Sequence, residues 1–286
     1  MQSLGPPDMN QTNSAARLVS DEAPRLLDEL RARRPLVQAV TNYVSMDIAA
    51  NVLLAIGASP AMVHAHEEVE DFVAIADALV VNIGTLSHHW VAGMEAAAAA
   101  AKKMGKPWTL DPVGVGATRF RNETVERLLR HEPAIIRGNA SEIMGVARVA
   151  GVGEESVAPK GVDSAHGTDA ARPAALALAR ELGCVVAATG AVDLVTDGER
   201  IVEVANGSPL MARVTAVGCA LSGVVAAFSA LTPDRFVAAA AAVGVYGVTG
   251  QIAAEHAARP GSFRVAFLDM LDAIDAPDIA RVLETR

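Results

Sequence analysis

The sequence predicts an α/β protein whose mostly parallel sheet is covered by helices on both faces. Short apolar runs alternate with longer helical patterns along almost the whole chain, which is the rhythm of repeated βα units. Hydrophobic residues make up 51% of the chain but aromatics only 3%, so the core must be built from Ala, Val, Leu and Ile. That is the usage expected of buried parallel strands. A chain of 286 residues is long enough to enclose such a sheet.

In order, strands are expected at 36–40, 78–83, 107–110, 134–137 and 184–188, all compact runs and all but 107–110 rich in Val, Ile, Leu or Ala. A hairpin-like pair follows at 194–196 and 201–204, with Asp197-Gly198 as its turn. Helices are expected between them at 46–55, 68–76, 90–104, 122–130, 141–150 and 169–182. The C-terminal part is mostly helical, at 220–230, 234–256, 265–273 and 278–285. The longest apolar stretch runs from residue 236 to 254 and follows Thr232-Pro233-Asp234, a good helix start. Its Ala and Gly content reads as a core helix rather than a membrane span.

A formal charge of −9 argues against a nucleic-acid or anionic membrane partner, since polyanion binding draws on an excess of Lys and Arg. A local phosphate site needs only a few cations and backbone N–H groups, so an anionic substrate is compatible with it. Cys184 and Cys219 are too few for a disulfide scaffold, and no Cys/His spacing suggests zinc. His64, His66, His88 and His89 read as solvated loop residues. The polar first residues lack a signal-peptide pattern, and the expectation is a soluble, cytoplasmic protein with a polar tail over 1–18 and one domain over 19–286.

In an open parallel sheet, ligands sit beyond the carboxyl ends of the strands. Polar residues expected just after strands are Thr41-Asn42, Asn82 with Gly84-Thr85, Asp111-Pro112, Gly138-Asn139 and Thr189-Gly190. The sharpest loop is Thr215-Ala216-Val217-Gly218-Cys219, which opens the helix at 220–230. A helix start leaves about four N–H groups unpaired beside a partial positive charge, and small residues let a phosphate reach them. Neither a Walker A lysine pattern nor GxGxxG is present. Cys219 at such a start would have its thiol pKa lowered below ~8.5 and could hydrogen-bond an attacking alcohol. Equally, it reads as a small buried residue at a tightly packed helix start. Arg137 reads as a surface ion pair or a phosphate ligand, Asp111 and Glu142 as loop or cap carboxylates or as magnesium ligands, and Met62 as core filler or a ring contact.

Several short stretches together resemble the hydroxyethylthiazole kinase family: LVQAVTN (36–42), ANVLLAIGASPAM (50–62), NIGTL (82–86), LDPVGVGA (110–117), IRGNASEI (136–143), KGVD (160–163), VTAVGCALS (214–222) and PGSF (260–263). They run in the family's order from about residue 36 to 271. The resemblance implies a ribokinase-like three-layer fold, ATP as co-substrate, Mg²⁺, and 4-methyl-5-(2-hydroxyethyl)thiazole as the alcohol phosphorylated in thiamine salvage. It also implies a homotrimer with active sites between subunits.

Carried over by position, the resemblance implies Cys219 as the catalytic residue in a phosphate loop formed by Ala216, Val217, Gly218 and Cys219. Met62, Asn42 and Ala216 match substrate-binding positions, Arg137 and Thr189 match ATP-binding positions, and Asp111 and Glu142 match acidic positions associated with magnesium. Ala216 departs from the family, whose loop has Gly there; a positive φ at this point would cost Ala roughly 1 kcal/mol. Alternatives are a ribokinase-like kinase for another small heterocyclic alcohol, which would typically carry Asp in place of Cys219, and a non-catalytic thiazole or nucleotide-binding protein.

Overall fold

The computed structural model describes residues 9–152 and 167–286, with side-chain surroundings from residue 13 onward. The KGVD stretch at 160–163 lies outside the described residues. The chain runs α1 (Met9–Arg33), β1 (Leu36–Val40), α2 (Met46–Ile56), β2 (Ser59–Ala61), α3 (Val69–Ile75), β3 (Ala78–Asn82), α4 (His88–Met104), β4 (Trp108–Asp111), α5 (Arg119–Leu129), β5 (Ile135–Asn139) and α6 (Ala140–Val149). It continues with α7 (Thr168–Leu182), β6 (Val185–Thr189), β7 (Asp193–Thr196), β8 (Ile201–Val204), α8 (Val217–Ser229), α9 (Arg235–Glu255), α10 (Pro260–Ala273) and α11 (Ala276–Val282). All the strands join one eight-stranded sheet in the order β2-β1-β3-β4-β5-β6-β7-β8. Pairing is parallel from β2 through β6 and antiparallel for β7 and β8.

Successive strand residues face opposite sides of a sheet, and that alternation separates two cores. Val37, Ala39, Ala78, Val80, Ile135, Val185 and Ala187 face a core shared with α1, α2, α8, α9 and α10. Val40, Leu79, Val81, Ile136, Val186 and Ala188 face a second core shared with α3, α4, α5, α6 and α7. The result is the three-layer fold expected from the sequence. Helix α9 has the length and apolarity of a membrane span, but 89% of its most apolar window is buried inside the protein. Its alanines and glycines serve close packing: a Cβ on Gly250 would lie 2.3 Å from the Met211 sulfur.

Two elements depart from expectation. The polar tail drawn over residues 1–18 gives way to helix from Met9, and the boundary at residue 18 falls inside α1. Ala15, Ala16, Val19, Ala23, Leu26, Leu27 and Leu30 are buried along one stripe, at the 3–4 residue spacing of an amphipathic helix; alanines amid Asn, Gln and Ser hid its first turns. Strand β2 is three residues around Pro60, too short and too proline-marked to read as a strand. It is tolerated because β2 is the sheet edge.

Candidate active site

Parallel strand order brings the carboxyl ends of β1, β3, β4, β5 and β6 side by side. Asp111, Asn139 and Thr189 lie within the last residues of their strands rather than after them, and Asn82 and Arg137 lie within theirs as the expected strand bounds have it. Facing them is the start of α8, whose N-cap Ala216 has φ 61° and ψ 8° and no side-chain cap. By contrast α4, α5 and α6 begin on Ser87, Thr118 and Asn139 side chains that accept backbone N–H groups. The first N–H groups of α8 are therefore left for another acceptor.

Arg137 links the strand ends to this helix start. Its Nη1 donates to the Gly218 carbonyl at 2.9 Å and its Nη2 to Thr189 Oγ1 at 2.6 Å, while Nη1 lies 3.9 Å from Asp111 Oδ2. Arg137 is 8% exposed and Asp111 fully buried. Ser222 Oγ, one turn beyond Cys219 on α8, donates to Asp111 Oδ2 at 2.8 Å. Asn82 Nδ2 donates to the same oxygen at 2.6 Å. Asn42 Nδ2 donates to Asn82 Oδ1 at 2.8 Å and is directed at Cys219 Sγ at 3.7 Å. Gly84 must be glycine here, because a Cβ would sit 2.4 Å from Asn42 Nδ2.

Burial holds the Asp111 carboxyl well above the usual carboxylate range; Arg137 draws it down, and Glu142 pushes it up. The thiol of Cys219 goes the opposite way from the sequence expectation. Burial, and then the nearby Asp111 charge, push it up to about 11, against the weaker opposing pull of Asn82, Arg137 and Asn42. Desolvation disfavours a thiolate more than the helix start favours it.

A family model for the hydroxyethylthiazole kinase family matches residues 27–276. The hydroxyethylthiazole kinase of Cereibacter sphaeroides is 54% identical over 255 residues, which are 89% of this chain and 95% of that protein. The chain belongs to the hydroxyethylthiazole kinase family. The solved structure of hydroxyethylthiazole kinase from Pyrococcus horikoshii OT3 superposes with a TM-score of 0.85 at 39% identity, covering 93% of this chain and 98% of that one. A ribokinase-like superfamily protein from Enterococcus faecalis V583, 14% identical with a TM-score of 0.57 over 89% of this chain and 95% of that one, shares the fold. The family's kinase activity on the thiazole alcohol and the ribokinase-like architecture thus agree with the sequence reading.

The structure brings Cys219, Gly218, Asn42, Arg137, Thr189 and Asp111 into one connected set. Met62 follows the edge strand β2 and is half-buried against the core that also takes Val214 and Ala216; no polar contact joins it to the set. Glu142 is the third residue of α6, where it closes a capping box with Asn139. Its Oε2 accepts the Asn139 N–H at 2.8 Å and its Oε1 the Gly114 N–H at 3.0 Å.

A hard cation needs oxygen donors with free lone pairs. Asp111 fits, because its Oδ1 is buried without a hydrogen-bond partner. Glu142 has a single lone pair left on each oxygen, so Asp111 keeps the larger free acceptor capacity for a cation. Among the described residues no three His, Cys, Asp or Glu side chains converge as a metal cluster.

Asn82 and Ser222 lay within the recognised stretches without an assigned role. Arg121 was not singled out; it donates to the carbonyls of Ile83, Val113 and Gly84 at 2.6–2.7 Å and clamps two of the loops together. A long side chain facing carbonyls has no sequence signal. Three of the histidines also differ from expectation: His64 stacks on Trp90 at 4.0 Å, and His88 and His89 open α4. Two open clefts of about 190 and 420 Å³ lie at the opposite edge of the sheet, around Pro233 and Arg235, and none of the candidate residues lines them.

Proposed function

We propose that this chain transfers the γ-phosphoryl of ATP to the primary hydroxyl of 4-methyl-5-(2-hydroxyethyl)thiazole, returning the ring to thiamine synthesis. The observation that carries the reading is the meeting of Cys219, Asn42 and Arg137 at the uncapped start of α8, in a chain of this family. The N–H groups from Ala216 to Cys219 receive the transferring phosphoryl, where fixed donors stabilise developing charge. Arg137 presents a guanidinium fork suited to phosphate oxygens, and Thr189, bonded to it, sits at the nucleotide. Asp111, through its free Oδ1, and Glu142 are the residues that would hold a magnesium ion, which would supply neutralisation of phosphate charge.

With its thiol pushed up to about 11, Cys219 is protonated near neutral pH. It orients the substrate hydroxyl rather than waiting as a thiolate. A loose transition state asks little of a base, because the hydroxyl becomes acidic only as the new O–P bond forms and the bond from phosphorus to the ADP oxygen breaks; its proton then passes to an oxygen of the transferred phosphoryl group. Asn42 supplies an N–H beside the sulfur, Ala216 contacts the ring through backbone, and the Met62 thioether lies against the heteroaromatic face. Tyr43 and Val44, 68% and 57% exposed directly after Asn42, support a site closed by a neighbouring subunit in a homotrimer. A cytoplasmic location without nucleic-acid or membrane partners accords with the net charge of −9.

The test is a coupled ADP-release assay with ATP, Mg²⁺ and the thiazole alcohol on wild type and Cys219→Ala. Thiazole-dependent turnover falling about 10²-fold or more in the variant is expected. A wild type whose ADP release ignores the thiazole would sink the reading.

A further inference from the structure

Asn42 and Asn82 form a hydrogen-bond chain whose direction is set at both ends. Asn42 Oδ1 accepts the backbone N–H groups of Val44 and Ser45 at 3.0 and 3.1 Å, so its NH₂ must be the side that faces Asn82 and Cys219. Asn82 Oδ1 accepts both Asn42 Nδ2 and the Gly84 N–H, at 2.8 and 2.9 Å, so its own NH₂ must face Asp111. Neither amide can turn over without setting an oxygen against an oxygen or an N–H against an N–H. A donor, never an acceptor, is thereby held toward the Cys219 sulfur.

The far end of the chain returns to the same helix. Asp111 Oδ2 takes Asn82 Nδ2 and also the hydroxyl of Ser222, three residues beyond Cys219 on α8. Asn42, Asn82 and Asp111 come from the ends of β1, β3 and β4, all buried to within 3% exposure. The circuit thus ties three strand ends to the turn that carries Cys219, with Asn82 bonded through its side chain to both Asn42 and Asp111.

We infer that Asn82 is a positioning residue for phosphoryl transfer: by accepting from the Asn42 NH₂, whose face the Val44 and Ser45 N–H groups already select, it holds in place the donor that the substrate hydroxyl encounters beside the sulfur. The inference rests on the kinase reading given above. It goes beyond it by assigning part of the reaction's geometry to a residue to which that reading gives no role.

The experiment is a double-mutant cycle in the ADP-release assay, with wild type, Asn82→Ala, Asn42→Ala and the double variant, each checked by thermal melting. Asn82→Ala should lower kcat about 10- to 100-fold, the size of effect that a small misplacement produces, with little change in KM for ATP. In the Asn42→Ala background the same substitution should cost less than about 3-fold, because the residue acts through Asn42. Asn82→Ser, which is too short to reach Asn42, serves as the second variant if the alanine protein does not fold, with the same result expected. Additive losses in a turning-over enzyme would overturn the inference alone, as would failure of both Asn82 variants to fold, which would make the residue a folding determinant. A wild type without thiazole-dependent turnover would remove the kinase reading and the inference with it.

Discussion

Arg137 donates to the carbonyl of Gly218 at 2.9 Å, fastening the end of β5 to the first turn of α8. The same guanidinium holds Thr189 at 2.6 Å, so one side chain sets the distance between the end of β6 and the helix start. Helix carbonyls in a first turn are already committed to the ladder; a charged donor on one of them fixes the turn from outside.

Replacing Arg137 with Lys keeps the charge and loses the fork. One charge-assisted hydrogen bond is worth about 1.5–3 kcal/mol, so kcat/KM for ATP should fall about 10- to 100-fold in Arg137→Lys. Steady-state kinetics with varied ATP measures this, and an unchanged value would show that the fork is dispensable.

Ala216 stands at φ 61°, in the left-handed region that costs an L-residue about 1–2 kcal/mol. Ala216→Gly relieves that strain and gives back part of the gain to unfolded-chain entropy. A net gain of about 0.5–1 kcal/mol should raise the melting temperature by about 1–3 °C. Differential scanning calorimetry reads it, with Ala216→Val expected to move the midpoint the other way.

The Cys219 thiol, pushed up to about 11 by burial and the Asp111 charge, should react slowly. The sign follows from the acid: a raised pKa means less thiolate at any pH below it. At pH 8 iodoacetamide should label Cys219 about 100-fold more slowly than a free thiol of pKa ~8.5. The rate should still climb between pH 9 and 10, where a free thiol has levelled off. Cys184, buried and pushed up to about 12, gives little background. Peptide mass spectrometry across that range checks both statements, and a rate midpoint near pH 8.5 would contradict them.

Asp111 and Glu142 differ in what their oxygens already do. Asp111→Asn alters the carboxylate whose Oδ1 is free, whereas Glu142→Gln keeps a residue type that a capping box accepts. Asp111→Asn should therefore lose about 10²-fold or more in kcat and Glu142→Gln less than about 10-fold. Magnesium titrations of ADP release compare the two, and the reverse order would return the main metal role to Glu142.

Much of this site was legible as a set of polar residues near strand ends, because strand-then-helix order carries ligands to the carboxyl edge. Asn42, Asp111, Arg137 and Thr189 are named that way or by family resemblance, and the fold brings them together. Ser222 and Arg121 were not: a serine inside an apolar helix and an arginine on an amphipathic one look like ordinary surface chemistry until a buried carboxylate or three carbonyls stand opposite. Helix α1 was missed for a related reason, since Ala15 and Ala16 carry too little hydrophobicity to mark a buried face among Asn, Gln and Ser.

The sequence by itself determined the alternation of strands and helices, the two buried faces of the sheet and the small-residue loop before Cys219, because these depend on local spacing. The tertiary structure decided which strand ends are neighbours. Only that order lets Asn42 meet Asn82, Asn82 meet Asp111, and Asp111 meet Ser222 across 40, 29 and 111 residues of chain. It also decided the direction of the Cys219 shift and the left-handed turn at Ala216. Desolvation belongs to the surroundings of a group rather than to its neighbours in sequence, and a residue is held in a costly conformation only when packing around it leaves no other.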